Sequence, residues 1–213
     1  MTSIIHASPL PPVEIPDCSI TAMVLRRADE LADEVAITDG GATSYTFSEL
    51  RSRVRRLAGG LAARGIGPGS VVGIMAPNLP DYAVAFHGVA TAGAANTTIN
   101  PTYGPEEVRF QLTDAGARLL ITTPMFLETA RAAAEGTAVT EIAVIAPAGA
   151  DTGGAIRLED LFGDELLQDG VAALALPCVY APPGRANEIM AHAASQKLGI
   201  PIAEWPTIGV PAP

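Results

Sequence analysis

Apolar runs alternate with amphipathic stretches between residues 71 and 146, and this alternation restricts the fold more than any other feature. Val71 to Ala76 is a continuous apolar run, which suits a strand buried on both faces, as in a parallel sheet. Strand–helix–strand units favour right-handed crossovers and a mostly parallel sheet. We therefore predict an α/β fold. The predicted further strands are 94–98, 118–122 and 141–146, and the predicted helices are 80–92, one beginning at 104–107, and 124–134.

A helix and a hairpin are predicted before this region. Either Asp17 or Ser19 can provide the N-cap of the helix. The segments 35–38 and 43–45 read as two short strands around Asp39-Gly40-Gly41, since Asp-Gly sequences tolerate the positive φ of a tight turn. The apolar residues that define the helix by their spacing are Ile20, Met23, Val24, Ala28 and Leu31.

The next helix carries signals at both ends. Thr46 and Glu49 have the spacing of a capping box, and Gly65 provides a left-handed stop. One apolar face connects these ends, which predicts a helix that packs on the sheet. The residues of that face are Leu50, Val54, Leu57, Ala58 and Leu61.

Several short phrases between Ser19 and Pro177 occur in a particular order and spacing. They are YTFSEL at 45–50, GIGPGSVV at 65–72, APNLP at 76–80, GVATAGA at 88–94 and INPTY at 99–103. Together they resemble the amino-terminal part of an adenylate-forming (AMP-binding) acid–CoA ligase of the 4-coumarate or fatty-acid type. The resemblance implies that family's amino-terminal α/β fold in incomplete form, with a mostly parallel sheet flanked by helices.

The family's chemistry, as the resemblance implies it, uses ATP, Mg²⁺ and CoA. A carboxylic acid attacks ATP to give an acyl-adenylate and pyrophosphate, and the CoA thiol then displaces AMP. A Ser/Thr/Gly-rich loop ending in Pro-Lys-Gly holds the phosphates, later acidic residues serve Mg²⁺ and the ribose, and a mobile carboxy-terminal domain supplies a lysine. Here the loop should follow Pro177, but residues 178–185 read CVYAPPGR, and Lys197 is the one lysine beside 12 arginines.

We therefore expect a truncated or carboxy-terminally altered ligase homologue that is inactive alone. No catalytic, cofactor-binding or metal-binding residue is assigned, and no cofactor is expected to bind this chain. The alternative is a non-enzymatic interaction module or one half of a split ligase. An apolar face left without its usual partners would promote self-association or binding to a complementary ligase fragment.

Three parts are predicted along the chain. Residues 1–18 form a Pro-rich arm, residues 19–177 a partial AMP-binding ligase domain, and residues 178–213 a divergent Pro-rich tail with one short helix at 187–198. A loop at 146–156 and a short helix at 158–167 are predicted inside the second part.

Composition and charge exclude several functional classes. A formal charge of −10 and a pI near 4.6 argue against nucleic-acid binding, which needs clustered Lys and Arg. No apolar stretch approaches the roughly 18 residues of a membrane span, and the amino terminus lacks a basic region before an apolar one, so we predict a cytoplasmic protein. Cys18 and Cys178 have no spacing typical of a metal or redox site.

Four groups of residues invite a functional reading and have a structural alternative that we favour. The turn 65–69 follows a helix and precedes a strand, the reverse of a dinucleotide-binding turn, so we read it as a helix stop. His87 has no nucleophile or carboxylate at catalytic spacing and is assigned a packing or surface role. The pairs Glu106/Glu107 and Glu159/Asp160 suit helix capping. The arginines Arg51, Arg53, Arg55 and Arg56 are read as a solvated helix face.

Overall fold

A computed structural model describes residue 16, residues 18–41 and residues 43–166. Residues 1–15 and 17 of the Pro-rich arm lie outside these residues, as do the tail with its predicted helix at 187–198 and the candidates Cys178 and Lys197. The N-cap candidate Asp17 is therefore not described. The division into three parts and the absence of site residues therefore stay predictions.

The described elements follow the predicted alternation of strand and helix. In chain order they are α1 (Ile20–Leu25), β1 (Val35–Thr38), β2 (Ser44–Thr46), α2 (Phe47–Ala63), β3 (Val71–Ile74), α3 (Pro80–Thr91), β4 (Ala95–Thr98), α4 (Pro105–Ala115), β5 (Leu119–Thr122), a 3₁₀ turn (Pro124–Phe126), α5 (Leu127–Ala134), β6 (Glu141–Val144), β7 (Ile156–Arg157) and a second 3₁₀ turn (Leu158–Leu161).

Five strands form one parallel sheet in the order β4-β3-β5-β6-β7. The predicted α/β class with a mostly parallel sheet is confirmed. Strand β7 was not predicted. It consists of two residues at the end of the predicted 146–156 loop that pair with β6, with Ala143 opposite Ile156. So short a strand shows no periodicity in the sequence.

Helices cover both faces of this sheet. Alternate residues of β5 point to opposite faces, as in any strand: Leu119 belongs to the apolar cluster that contains α2 and α3, and Leu120 to the cluster that contains α4 and α5. Leu57 of α2 and Leu112 of α4 are both fully buried in these clusters. Burying each such side chain stabilises the fold by roughly 1.5–3 kcal/mol.

The hairpin and the ends of α2 form as predicted. Strands β1 and β2 pair antiparallel. The Thr46 side chain accepts a hydrogen bond from the Glu49 backbone, and the Glu49 carboxylate accepts one from the Thr46 backbone. Gly65 follows the helix with φ of 71°, a left-handed value that glycine adopts without a Cβ clash.

The first helix is shorter than its apolar spacing suggests. Ser19 caps it, with Oγ 3.1 Å from the Ala22 nitrogen, but it ends at Leu25 and tighter turns follow, such as Ala28 N–H to the Leu25 carbonyl. Ile20 is 52% exposed, whereas Ala28 is buried. The prediction of one continuous apolar face from residue 20 to residue 31 is therefore wrong, because the helical periodicity stops after two turns.

The backbone of residues 161–164 packs directly against two adjacent glycines of α2. A Cβ on Gly60 would overlap the Leu161 carbonyl oxygen, and one on Gly59 would overlap the Asp164 carbonyl oxygen. The Gly163 N–H donates to the Arg56 carbonyl at 2.9 Å. The predicted helix at 158–167 is instead a 3₁₀ turn ending at Leu161, after which the chain runs along α2.

Candidate functional site

Arg53 of α2 is the centre of the most extensive charged network in the described part of the chain. Its guanidinium lies 2.8 Å from Asp81 Oδ1 of α3 and 2.8 Å from Glu159 Oε1 of the second 3₁₀ turn. It also stacks on the Tyr45 ring at 4.5 Å and the Phe162 ring at 5.2 Å. One side chain thus connects β2, α2, α3 and the 158–162 segment.

The prediction that the arginines of α2 form a solvated face is wrong for Arg53. Its side chain is only 22% exposed, because residues 159–162 cover that side of the helix. Glu159 lies in the first turn of the second 3₁₀ turn, the position that the capping interpretation assumes, and it also pairs with Arg53. The signal that could have revealed the pairing is the Gly59-Gly60 sequence, since adjacent glycines in a helix mark a close backbone approach.

Tyr45 completes the network without providing a reactive group. Its hydroxyl donates to Asp81 Oδ1 at 2.8 Å. Burial, followed by this hydrogen bond to Asp81, raises the pKa of Tyr45, so the phenol stays protonated. Burial alone would lower the pKa of Arg53, but its hydrogen bonds to Asp81 and Glu159 outweigh that effect and the pKa is raised. The network therefore acts as a structural clamp.

His87 of α3 has the packing role that the sequence suggests. Its Nδ1 lies 2.9 Å from Thr21 Oγ1 of α1, and the Phe86 ring meets it edge-on at 5.3 Å. Burial lowers the pKa of His87, so the ring is neutral at neutral pH.

The burial of His87 predicts a pH-dependent stability. As the pH falls below about 6.5, a histidine in the unfolded chain binds a proton, whereas His87 with its lowered pKa binds one only at more acidic pH. The unfolded state then holds more protons, so the free energy of unfolding decreases with falling pH.

Thermal unfolding of the wild type and a His87→Gln variant, followed by circular dichroism from neutral to mildly acidic pH, measures this contribution. Comparing the two proteins isolates the contribution of His87, because every other ionisable side chain is the same in both, including the Asp39 carboxylate that lines the same pocket. The variant should lose less stability on acidification than the wild type. Parallel pH profiles would contradict the assignment.

The remaining sequence candidates serve local structure. Ser70 N–H bonds to the Gly67 carbonyl at 2.9 Å in the turn between α2 and β3, so the helix-stop reading of that turn is confirmed. Glu107 Oε2 accepts from the Gly104 N–H at 2.8 Å at the start of α4, which confirms capping there.

The described residues do not fit the phosphates or the metal that the resemblance implies. Among them, no three His, Cys, Asp or Glu side chains come together to hold a metal ion. Within the same residues, no loop with more than one glycine runs from a strand into a helix, the context in which backbone N–H groups cradle a phosphate. We assign no step involving ATP or Mg²⁺ to them.

Comparison with known proteins connects this fold to one family. The profile of the AMP-binding enzyme family matches residues 24–183, which include the whole parallel sheet. The chain belongs to the AMP-binding enzyme family. This match confirms the family resemblance inferred from the five short sequence motifs between residues 45 and 103.

The chain matches only part of the length of each related enzyme. 4-Coumarate–CoA ligase 3 of Oryza sativa subsp. japonica is 40% identical over 131 residues, 60% of this chain and 24% of that protein. Feruloyl-CoA synthase of an Amycolatopsis species is 40% identical over 112 residues, 53% of this chain and 23% of that protein. The chain thus spans about a quarter of the length of these curated relatives.

A solved structure gives the same picture. A benzoate CoA ligase from Burkholderia xenovorans superposes with a TM-score of 0.59 at 25% identity, covering 77% of this chain and 30% of the ligase. This AMP-binding family chain therefore has the fold of part of an adenylate-forming ligase. None of its described helices combines the length and hydropathy of a membrane span.

Proposed function

We propose that this AMP-binding family chain is an amino-terminal scaffold of an acid–CoA ligase, the enzyme class that joins a carboxylic acid to CoA at the expense of ATP. The supporting observation is the 40% identity over 131 residues to a 4-coumarate–CoA ligase, combined with the parallel sheet. Aromatic acids of the hydroxycinnamate type are the first substrates to test, since two relatives are a 4-coumarate and a ferulate enzyme. We place the protein in the cytoplasm.

The 213-residue chain alone does not activate an acid in this proposal. Attack of a carboxylate on ATP and release of pyrophosphate develop charge that needs preorganised cationic donors. Among the described residues, Arg53 is a partly buried cation, and it is already paired with Asp81 and Glu159. The chain has one lysine, Lys197. ATP, Mg²⁺ and CoA are assigned to the parts of such ligases that this chain does not match.

The test is ATP–pyrophosphate exchange with 4-coumarate, ferulate, benzoate and a long-chain fatty acid, because exchange reports adenylation without the CoA step. We expect no acid-dependent exchange from the purified chain, whereas a full-length ligase assayed in parallel is active. Circular dichroism establishes that the chain is folded. Acid-dependent exchange by a folded sample would overturn the proposal of inactivity.

A second candidate is a module that works by association with a copy of itself or with a complementary ligase fragment. The observation in its favour is large apolar exposure: Phe110 of α4 is 73% exposed and Met125 is 83% exposed. Analytical ultracentrifugation tests this candidate by measuring the mass of the chain by itself and of the chain mixed with the part of the rice ligase that it does not match. A complex with restored exchange supports a split ligase, and a persistent monomer with both samples counts against this candidate.

A further inference from the structure

A pocket of about 380 Å³ separates the β1–β2 hairpin from α3. Pockets that hold small organic molecules have volumes of roughly 300–1,000 Å³. Its apolar walls come from both sides: Ile37 belongs to β1, and Leu79, Pro80 and Phe86 belong to α3 and its N-cap. The pocket is therefore of a size and lining that accept a molecule built around one aromatic ring.

The one charged side chain among the described residues that line the pocket is negative. The described residues that line it include the carboxylate of Asp39 and no lysine or arginine. Both hydrogen bonds that Asp39 accepts in the hairpin turn, from Gly41 and Thr43, use Oδ1 rather than Oδ2. His87 is held through Nδ1 by Thr21, so Nε2 is the ring nitrogen left for a ligand. The formal charge of −10 adds to the preference for a positive ligand.

Two aromatic rings complete the lining. Tyr82 and Phe86 both contribute to the pocket wall from α3. Aromatic rings attract an ammonium group placed over their faces, in addition to burying apolar surface. A carboxylate and two aromatic rings around one cavity together form the kind of lining that accepts an organic cation.

We propose that this pocket binds a small organic cation with an aromatic body, of the class of primary arylalkylamines. The apolar walls hold the ring, and the Asp39 carboxylate attracts the ammonium group. The proposal does not depend on the ligase function, because neither ATP nor CoA enters it.

The test uses three probes that share one ring and differ in charge: phenethylamine, 2-phenylethanol and 3-phenylpropanoate. Binding to the full 213-residue chain is measured by isothermal titration calorimetry. Asp39 is exposed, so we expect the amine to bind about 2–5-fold more tightly than the alcohol, the range for an exposed charge pair, and the carboxylate to bind most weakly. Equal affinity for amine and alcohol, tighter binding of the carboxylate, or no saturable binding of the amine would each overturn the proposal.

Two variants and a control locate the binding. Asp39→Asn keeps Oδ1 for the turn and should remove the advantage of the amine over the alcohol. Asp114→Asn makes the same change at an exposed residue of α4, on the other face of the sheet, and should leave both affinities unchanged. Ala83→Leu adds bulk inside the pocket and should weaken both ligands at least about tenfold. Unchanged binding in Ala83→Leu, in a sample folded by circular dichroism, would place the ligand elsewhere and refute the assignment.

Discussion

Replacing Gly60 by alanine should lower the free energy of unfolding by about 3–6 kcal/mol. The added Cβ would overlap the Leu161 carbonyl oxygen, and neither backbone can move without separating residues 158–166 from α2. That separation exposes Leu158 and Leu161, both fully buried, and each contributes roughly 1.5–3 kcal/mol by its burial. Domains have only about 5–15 kcal/mol of stability in total, so the variant is expected to be largely unfolded or to lose this segment from the core.

The sign of this effect distinguishes close packing from helix propensity. In an exposed helix, alanine is about 0.5–1 kcal/mol more favourable than glycine, so without the overlap Gly60→Ala would stabilise the chain. Gly67→Ala, in the turn before β3, is a control for a glycine-to-alanine change without backbone overlap, because the nearest atom to its added Cβ is 3.4 Å away. Urea unfolding followed by circular dichroism measures both variants. A Gly60→Ala variant as stable as the wild type would show that residues 158–166 do not pack on α2 in this way.

Elements defined by neighbouring residues were predictable from the sequence. The continuous apolar run gave β3, the Thr46 and Glu49 pair gave the start of α2, and Gly65 gave its end, because each signal and its structural consequence lie within a few residues. The parallel sheet followed from the alternation of such elements, since parallel strands require crossover connections. The family followed from ordered phrases that mostly encode these same elements.

Features that depend on distant pairing were not predictable in this way. Arg53 is followed by Arg55 and Arg56 and looks like part of a solvated face, yet a segment more than 100 residues later covers it. Strand β7 consists of two residues and is defined by its pairing with β6, not by a pattern of its own. In α1, the apolar residue Ile20 is exposed although its spacing suggests burial. In each case tertiary contacts override a local pattern.

The difference between local and distant contacts also explains why the sequence predicted only part of the candidate sites. His87 stood out in the sequence as an isolated histidine, but its contact with Thr21 joins residues 66 positions apart. The pocket beside it combines a hairpin turn with the first turns of α3, and no motif links these two stretches. A cavity formed by two elements leaves no spacing signature, whereas a cap or a turn does.

Replacing Arg53 by alanine should lower the free energy of unfolding by about 2–3 kcal/mol. Removing one member of a fully buried ion pair costs roughly 3–5 kcal/mol, because the remaining charge is left without compensation. The effect is smaller here because Arg53 and Asp81 are 22% and 14% exposed, so water partly screens the carboxylate that remains. The variant also loses the guanidinium that stacks on the Tyr45 and Phe162 rings.

Arg51→Ala is the matched control on the same helix. Arg51 pairs with Asp29, which is 89% exposed, and such surface pairs contribute about 0–1 kcal/mol. Urea unfolding at low and high salt separates the two, because screening weakens an exposed pair far more than an enclosed one. The cost of Arg53→Ala should persist at high salt while that of Arg51→Ala disappears. Equal and salt-sensitive losses would mean that Arg53 belongs to a solvated face after all, and that Glu159 and Asp81 do not connect α2 and α3 to the segment that follows the sheet.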